Sequence, residues 1–211
     1  MKKNNLNQLS GLLLFSKQNL LLMEKDEENL NTNLKYWKKN DLIIQVKKGL
    51  YLLKKRYEQE GSKQSYLEYI SNKIYEPSYL STEYIMNKYG LLTEAVYNIT
   101  SVTTKKTKIF KNKLGLFTYQ SITPKLYRGF FTKRFNNAFI SEAEKAKAVF
   151  DFLYLKFLKE TLISEKAVKE LRINWENMTK KEFQSLINYV KKSKSQRVFK
   201  LIKLIEKIYY A

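Results

Sequence analysis

The chain has no cysteine and no histidine. Without cysteine there is neither a disulfide framework nor a thiolate metal site, which fits a reducing compartment. Without histidine the commonest general base and metal ligand is missing as well, so catalysis would have to run on carboxylates, lysines or tyrosines. Two prolines and six glycines in 211 residues argue against fibrous or low-complexity structure. No run of about 18 uncharged apolar residues occurs, so no membrane span is expected. The amino-terminal MKKNNLNQLSGLLLFSKQNLLLM superficially resembles a signal peptide, but its apolar run breaks at Ser16-Lys17-Gln18-Asn19 and no small-residue cleavage site follows. A cytoplasmic protein is expected. Glycine-rich phosphate loops, metal-ligand clusters and nucleophile–base pairs are lacking too. The carboxylates of Asp26 to Glu28, and of Glu142 with Glu144, fall where helices are expected to start, and capping accounts for them. Lys145 reads as a solvated or ion-paired lysine. The residues speak for binding, with no enzyme activity, cofactor or metal expected.

Present in excess is positive charge, +20 at neutral pH and mostly lysine. Abundant Lys, Asn, Ile and Tyr can reflect an A+T-rich genome, or the charge can serve an anionic partner, most plausibly nucleic acid. Net charge does not choose between them, so the placement of the lysines matters.

An α+β protein in two parts is expected. Leu6, Leu9, Leu13 and Leu14 suit a first helix over 6–14, and Ser16 is the N-cap of a second over 17–23. A third runs from Glu27 to Lys39, with Leu30, Leu34 and Trp37 as its buried stripe. A hairpin follows over 42–54, its Lys47-Lys48-Gly49 tip turning through positive φ at the glycine. RYEQEGSKQS, 56–65, reads as a linker between a domain over 1–57 and a mixed α/β domain over 62–211. In the second domain a helix over 63–75 precedes one capped near Ser81 and closed by Gly90. A mainly antiparallel β segment is expected over 92–131, where aromatic and β-branched residues dominate. Phe117, Tyr119 and Tyr127 are read as core aromatics. From Ser141 the chain returns to helix, over 141–210. SEAEKAKAVFDFLYLKFLKE opens on a Ser141–Glu144 capping box, with Ala146, Val149, Phe150, Leu153 and Phe157 buried. A second box joins Thr179 to Glu182, and an amphipathic helix over 195–209 ends the chain.

Three short helices followed by a ribbon is the order of a winged helix-turn-helix, whose third helix enters the DNA major groove while the hairpin tip touches backbone or minor groove. On that reading Asn29, Asn31, Thr32, Lys35 and Tyr36 contact the groove, asparagine being suited to bidentate contact with adenine. Lys38, Lys39, Lys47 and Lys48 meet phosphates, and Lys17 and Gln18 touch the backbone from the second helix. The bland alternative is a helical domain with a solvated lysine face and an ordinary hairpin.

The stretch ending in VKKGLYLLKK resembles the start of AbiEi-type antitoxins, where a strand, a basic-Gly turn and a Gly-x-Tyr strand recur. PSYLSTEYIMNKYGLLTEAVYNITSVTTKKTKIFKNKLGLFTYQSITPKLYRGF looks like that family's central region, and EAEKAKAVFDFLYL is similar to its "EKA" helix. The resemblance covers about residues 15 to 158. Tyr89 stands where a histidine often precedes the Gly-Leu step, and Lys147 occupies a usually apolar position. The resemblance implies a winged helix that binds an inverted-repeat operator in double-stranded DNA and represses its own operon. It also implies a carboxy-terminal antitoxin part acting against a nucleotidyltransferase-like toxin, within type IV toxin-antitoxin and phage-defence (abortive infection) systems; direct contact with the toxin stays open. Two other readings remain beside it. One is a stand-alone winged-helix regulator whose second domain senses a ligand or oligomerises. The other is a nuclease working with carboxylates and lysine.

Overall fold

Residues 6, 8–158 and 162–210 are described by the computed structural model. Ser16 starts the first helix, as its sequence context predicts. Its hydroxyl accepts from the Asn19 backbone N–H and the Asn19 side chain returns a bond, so α1 (Lys17–Leu21) opens on a capping box. Asp26 caps α2 (Glu27–Lys39) by accepting from the backbone N–H groups of Glu28 and Asn29, and Leu30, Leu34 and Trp37 are buried on one face. The ribbon follows as β2 (Ile43–Lys47) and β3 (Leu50–Leu53), with Gly49 at φ +78° in the turn.

The expected first helix is replaced by extended chain. After a 3₁₀ turn at Leu6, Gln8 and Leu9 the chain runs irregularly past Gly11 into β1 (Phe15–Ser16), which pairs antiparallel with β3. A glycine in mid-helix costs about 1 kcal/mol. Phe15 gains instead by stacking on Tyr51, ring centroids 6.0 Å apart. The small sheet has the order β1-β3-β2.

The 56–65 linker is also corrected. Residues Lys54–Glu58 form α3 directly after β3, and four residues separate it from α4 (Lys63–Ile74). The two parts share the ribbon. Ile43, Tyr51 and Leu53 join Leu30, Leu34 and Trp37 in the amino-terminal core, while Ile44, Val46 and Leu52 join the core of the larger part. Side chains alternate across a strand, so a strand apolar at both parities is one buried on both faces.

The larger part is built on a six-stranded mixed sheet in the order β6-β7-β5-β4-β9-β8. Its strands are β4 (Ser78–Leu80), β5 (Ile99–Thr103), β6 (Lys108–Asn112), β7 (Gly115–Ser121), β8 (Phe130–Phe135) and β9 (Ala138–Ala143). Pairings β4–β5, β6–β7 and β8–β9 are antiparallel; β5–β7 and β4–β9 are parallel. The sheet therefore exceeds the expected 92–131 segment at both ends. α5 (Thr82–Lys88) follows β4. Ser141 to Ala143 lie in β9, so α6 (Lys145–Phe157) starts at Lys145 and the Ser141–Glu144 capping box is not formed. The last two residues of the motif that was expected to continue this helix, 159 and 160, lie outside the described residues.

Tyr79 pairs with Val102 and Leu80 with Ser101, so neighbouring residues of β4 face opposite ways. On one face Ser71 of α4 meets Ser101 and Tyr119; on the other, Tyr79 donates to Asp151 of α6. Helices α7 (Glu165–Glu170), α8 (Lys180–Ser193) and α9 (Gln196–Tyr209) complete the fold, α8 through the expected Thr179–Glu182 capping box. The anticipated stripe of α6 is buried, as are Val198, Leu201, Ile202 and Ile205 of α9, Phe117 and Tyr119; Tyr127 is half-buried.

Candidate nucleic-acid interface

Because α2 turns Leu30, Leu34 and Trp37 inward, its other positions face solvent. Asn29, Asn31, Thr32, Lys35, Tyr36, Lys38 and Lys39 are all exposed. The side chains of Asn31, Thr32, Lys35, Tyr36 and Lys39 make no hydrogen bond or ion pair with the described residues. At 1.5 Å per residue the helix is roughly 20 Å long, and an α-helix fits the major groove of B-form DNA. Its lysines lie in the last turns and its carboxylates in the first, the distribution the helix dipole favours.

Four residues of the expected interface, Asn29, Lys17, Lys38 and Lys47, have other partners. Asn29 donates from Nδ2 to Asp26 at 2.7 Å, which ties it into the cap. Lys17 is ion-paired with Glu27 at 2.6 Å, joining α1 to α2 and offsetting one acidic residue at the helix start. Gln18 is exposed beside it. Lys38 donates to Gln45 Oε1 at 3.2 Å and so braces α2 against the ribbon.

At the ribbon tip the two lysines separate. Lys48 is exposed, but Lys47 is half-buried and donates to the carbonyl of Ile74, the last residue of α4, at 2.7 Å. The cause is a bulge: the β2–β3 register slips between Gln45 and Lys47, and a bulge re-aims the side chain that follows it. A cation on a helix's terminal carbonyl is favourable. Burial, with Lys105 and Lys108 nearby, pushes the Lys47 ammonium below the ordinary lysine value. Lys47 therefore anchors the ribbon to the larger part, and Lys48 is the lysine the tip presents.

A second charged constellation escaped the sequence reading. Glu142 is itself buried, in β9 just ahead of α6, and forms a closed ring with Glu68, Lys88 and Lys133. Lys133 lies 2.6 Å from Glu68 and 2.7 Å from Glu142; Lys88 lies 3.1 and 2.8 Å from the same carboxylates. The Tyr84 hydroxyl donates to Glu68 at 2.8 Å. Burial alone would push the Glu68 carboxyl up, but Lys133, Tyr84 and Lys88 outweigh it and hold it below the ordinary glutamate value. Burial likewise opposes the Lys133 ammonium, and Glu142 and Glu68 hold it above the ordinary lysine value. With each carboxylate bound by both ammonium groups, the ring ties α4, α5, β8 and β9 together. The i, i+3 pattern of Ser141 and Glu144 concealed it, because local sequence does not tell a strand end from a helix cap.

Among the described residues no three or more carboxylates gather as a metal site, and no helix is long and apolar enough to cross a membrane. No protein-family model, curated protein or solved structure matches the chain.

Proposed function

We propose that this protein is a DNA-binding autorepressor with an antitoxin role. In this reading the amino-terminal unit is a winged helix-turn-helix. Helix α2 lies in the major groove of an inverted-repeat operator, with Asn31, Thr32, Lys35 and Tyr36 toward the bases and Lys38, Lys39 and Lys48 on phosphates. One observation carries the reading: strand, helix, turn, helix and ribbon follow in order, with Leu30, Leu34 and Trp37 of α2 turned inward and the exposed side chains of Asn31, Thr32, Lys35 and Tyr36 without partners among the described residues. Counteraction of a nucleotidyltransferase-like toxin rests on the AbiEi-type resemblance of residues 15 to 158.

The test is titration, by fluorescence anisotropy, of duplex DNA from immediately upstream of the protein's own coding sequence. Thr32→Ala and Lys35→Ala fold as wild type and bind more weakly, by about 1–3 kcal/mol for a side chain that reads a base. Wild-type affinity in both variants removes α2 from the role.

The regulator without a toxin is supported by an open pocket of about 630 Å³ beside β5 and β7, lined by Glu83, Tyr97, Thr100, Thr118 and Gln120. Co-expression with a neighbouring nucleotidyltransferase-like gene separates the two readings: relief of growth arrest belongs to the antitoxin alone.

A further inference from the structure

The β6–β7 hairpin carries Lys111 and Asn112 at the end of β6 and Lys113 in its turn, and the fold sets it against the ribbon of the amino-terminal unit. Two bonds hold it there. Asn112 donates from Nδ2 to the Val46 carbonyl at 2.9 Å, and Lys113 is ion-paired with Asp41, just after α2, at 2.8 Å. Lys113 and Lys54 together hold the Asp41 carboxyl down at about 2.

Between turn and ribbon runs an open groove of about 430 Å³, walled by Lys38, Lys47, Lys48, Lys111 and Lys113 with no carboxylate in its lining. Lys48, Lys111 and Lys113 are exposed, and Lys111 has no ion-pair partner among the described residues. Like charges held side by side repel, and a row of phosphates turns that repulsion into attraction and releases counterions. The groove begins at Lys38 in the last turn of α2, so it continues the surface proposed to read DNA.

We propose that this groove is a second backbone-binding track for the same duplex, in which Lys111 and Lys113 of the larger part join Lys48 of the ribbon on phosphates flanking the operator. The inference rests on the DNA-binding reading above. It makes the DNA interface a property of both parts of the chain. Phosphate contacts position a duplex without reading its sequence, so the track adds affinity and salt dependence and leaves specificity to α2.

The experiment measures binding of the full chain to the upstream duplex and to a scrambled duplex over a salt series, for wild type, Lys111→Ala, Lys111→Gln and Lys111→Ala/Lys113→Ala. Lys111 bears no structural bond, so its two single variants keep the wild-type melting profile, while the double variant also loses the Lys113–Asp41 ion pair. The expected result is a log–log salt slope shallower by about 0.9 for each phosphate that the variant leaves unneutralised, with the ratio between the two duplexes unchanged. Slope and affinity equal to wild type in both Lys111 variants and in the double variant overturn the track while leaving α2 as the reading helix. Failure of the wild-type chain to bind either duplex overturns the DNA-binding reading itself, and the track with it.

Discussion

Replacing Asp151 by Asn should destabilise the protein by about 3–5 kcal/mol, the cost of leaving one member of a buried ion pair alone. Lys147 and Asp151 sit one turn apart on α6, both fully buried and ion-paired with each other. The Asp151 carboxylate also accepts from the Tyr79 and Ser81 hydroxyls, each at 2.8 Å, and Lys147 donates to the Leu126 carbonyl at 2.9 Å. The ammonium lies 4.8 Å from the Phe150 ring centroid and 5.7 Å from those of Tyr79 and Tyr189, a cation–π surround that partly replaces water. Burial pushes the Asp151 carboxyl up and the Lys147 ammonium down, and each opposes that push in the other. In Asp151→Asn the amide oxygen still accepts from Tyr79 and Ser81, and the loss falls on Lys147. The double variant Lys147→Met/Asp151→Asn removes the stranded charge, keeps the apolar stem, and leaves the Leu126 carbonyl unpaired at about 1–3 kcal/mol. It should therefore be more stable than Asp151→Asn alone. Urea unfolding followed by circular dichroism measures all four members of the cycle. Additive single losses, or Asp151→Asn within about 0.5 kcal/mol of wild type, a range typical of surface substitutions, would refute the reasoning.

Two further outcomes follow from the same packing. A fragment ending at Glu58 exposes Ile44, Val46 and Leu52, each worth about 1.5–3 kcal/mol of burial. It should lose cooperative unfolding in urea, and a sharp transition like that of the full chain would show the ribbon's outer face to be dispensable. Because the folded-state carboxyl of Glu68 sits below its ordinary value of 4.5, its stabilisation is complete above that pH and is lost as pH falls through the depressed value; Glu68→Gln should flatten the acid limb of the urea midpoint against pH, and parallel limbs would exclude the ring as its source.

The parts of the fold that local sequence determines were legible in it. Helix α2 was read at its observed bounds because an N-cap, an apolar period of 3.6 and a terminal polar turn agree there. The caps at Ser16 and Thr179 were legible for the same reason, and Gly49 marked the turn. The illegible parts depend on neighbours distant in sequence. Leu6, Leu9, Leu13 and Leu14 read as a helical stripe, until β3 offers Phe15, next in the chain, a backbone partner and Tyr51 a ring. The three residues of β4 are too few to show a period, and they are a strand only because β5 and β9 flank them. Lys147, a charged residue among buried apolar neighbours, is explained by Asp151 four residues on, a spacing visible in sequence whose burial is not.

For the candidate interface the division is the same, and it bears on function. The exposed face of α2 follows from its own period, so the residues proposed to read bases were nameable without the fold. The proposed phosphate contacts were nameable only in part: Lys38, Lys39 and Lys48 stay exposed, but the burial of Lys47 and the approach of Lys111 and Lys113 do not show in a chain this basic. A bulge withdraws Lys47 to the end of α4, and the bonds of Asn112 and Asp41 bring Lys111 and Lys113 in from the larger sheet. The ribbon is thus gripped from both sides: Ile43 and Tyr51 in one core, Ile44 and Val46 in the other, Lys47 on a helix end. A hairpin held this way cannot swing independently of the larger part without opening a packed core, and packed interfaces shift between discrete arrangements instead of deforming continuously. Any ligand or partner that repositions the larger part must therefore move the ribbon and the α2 braced on it through Lys38 and Gln45. On the repressor reading proposed above, this contact would couple operator affinity to the state of the second part.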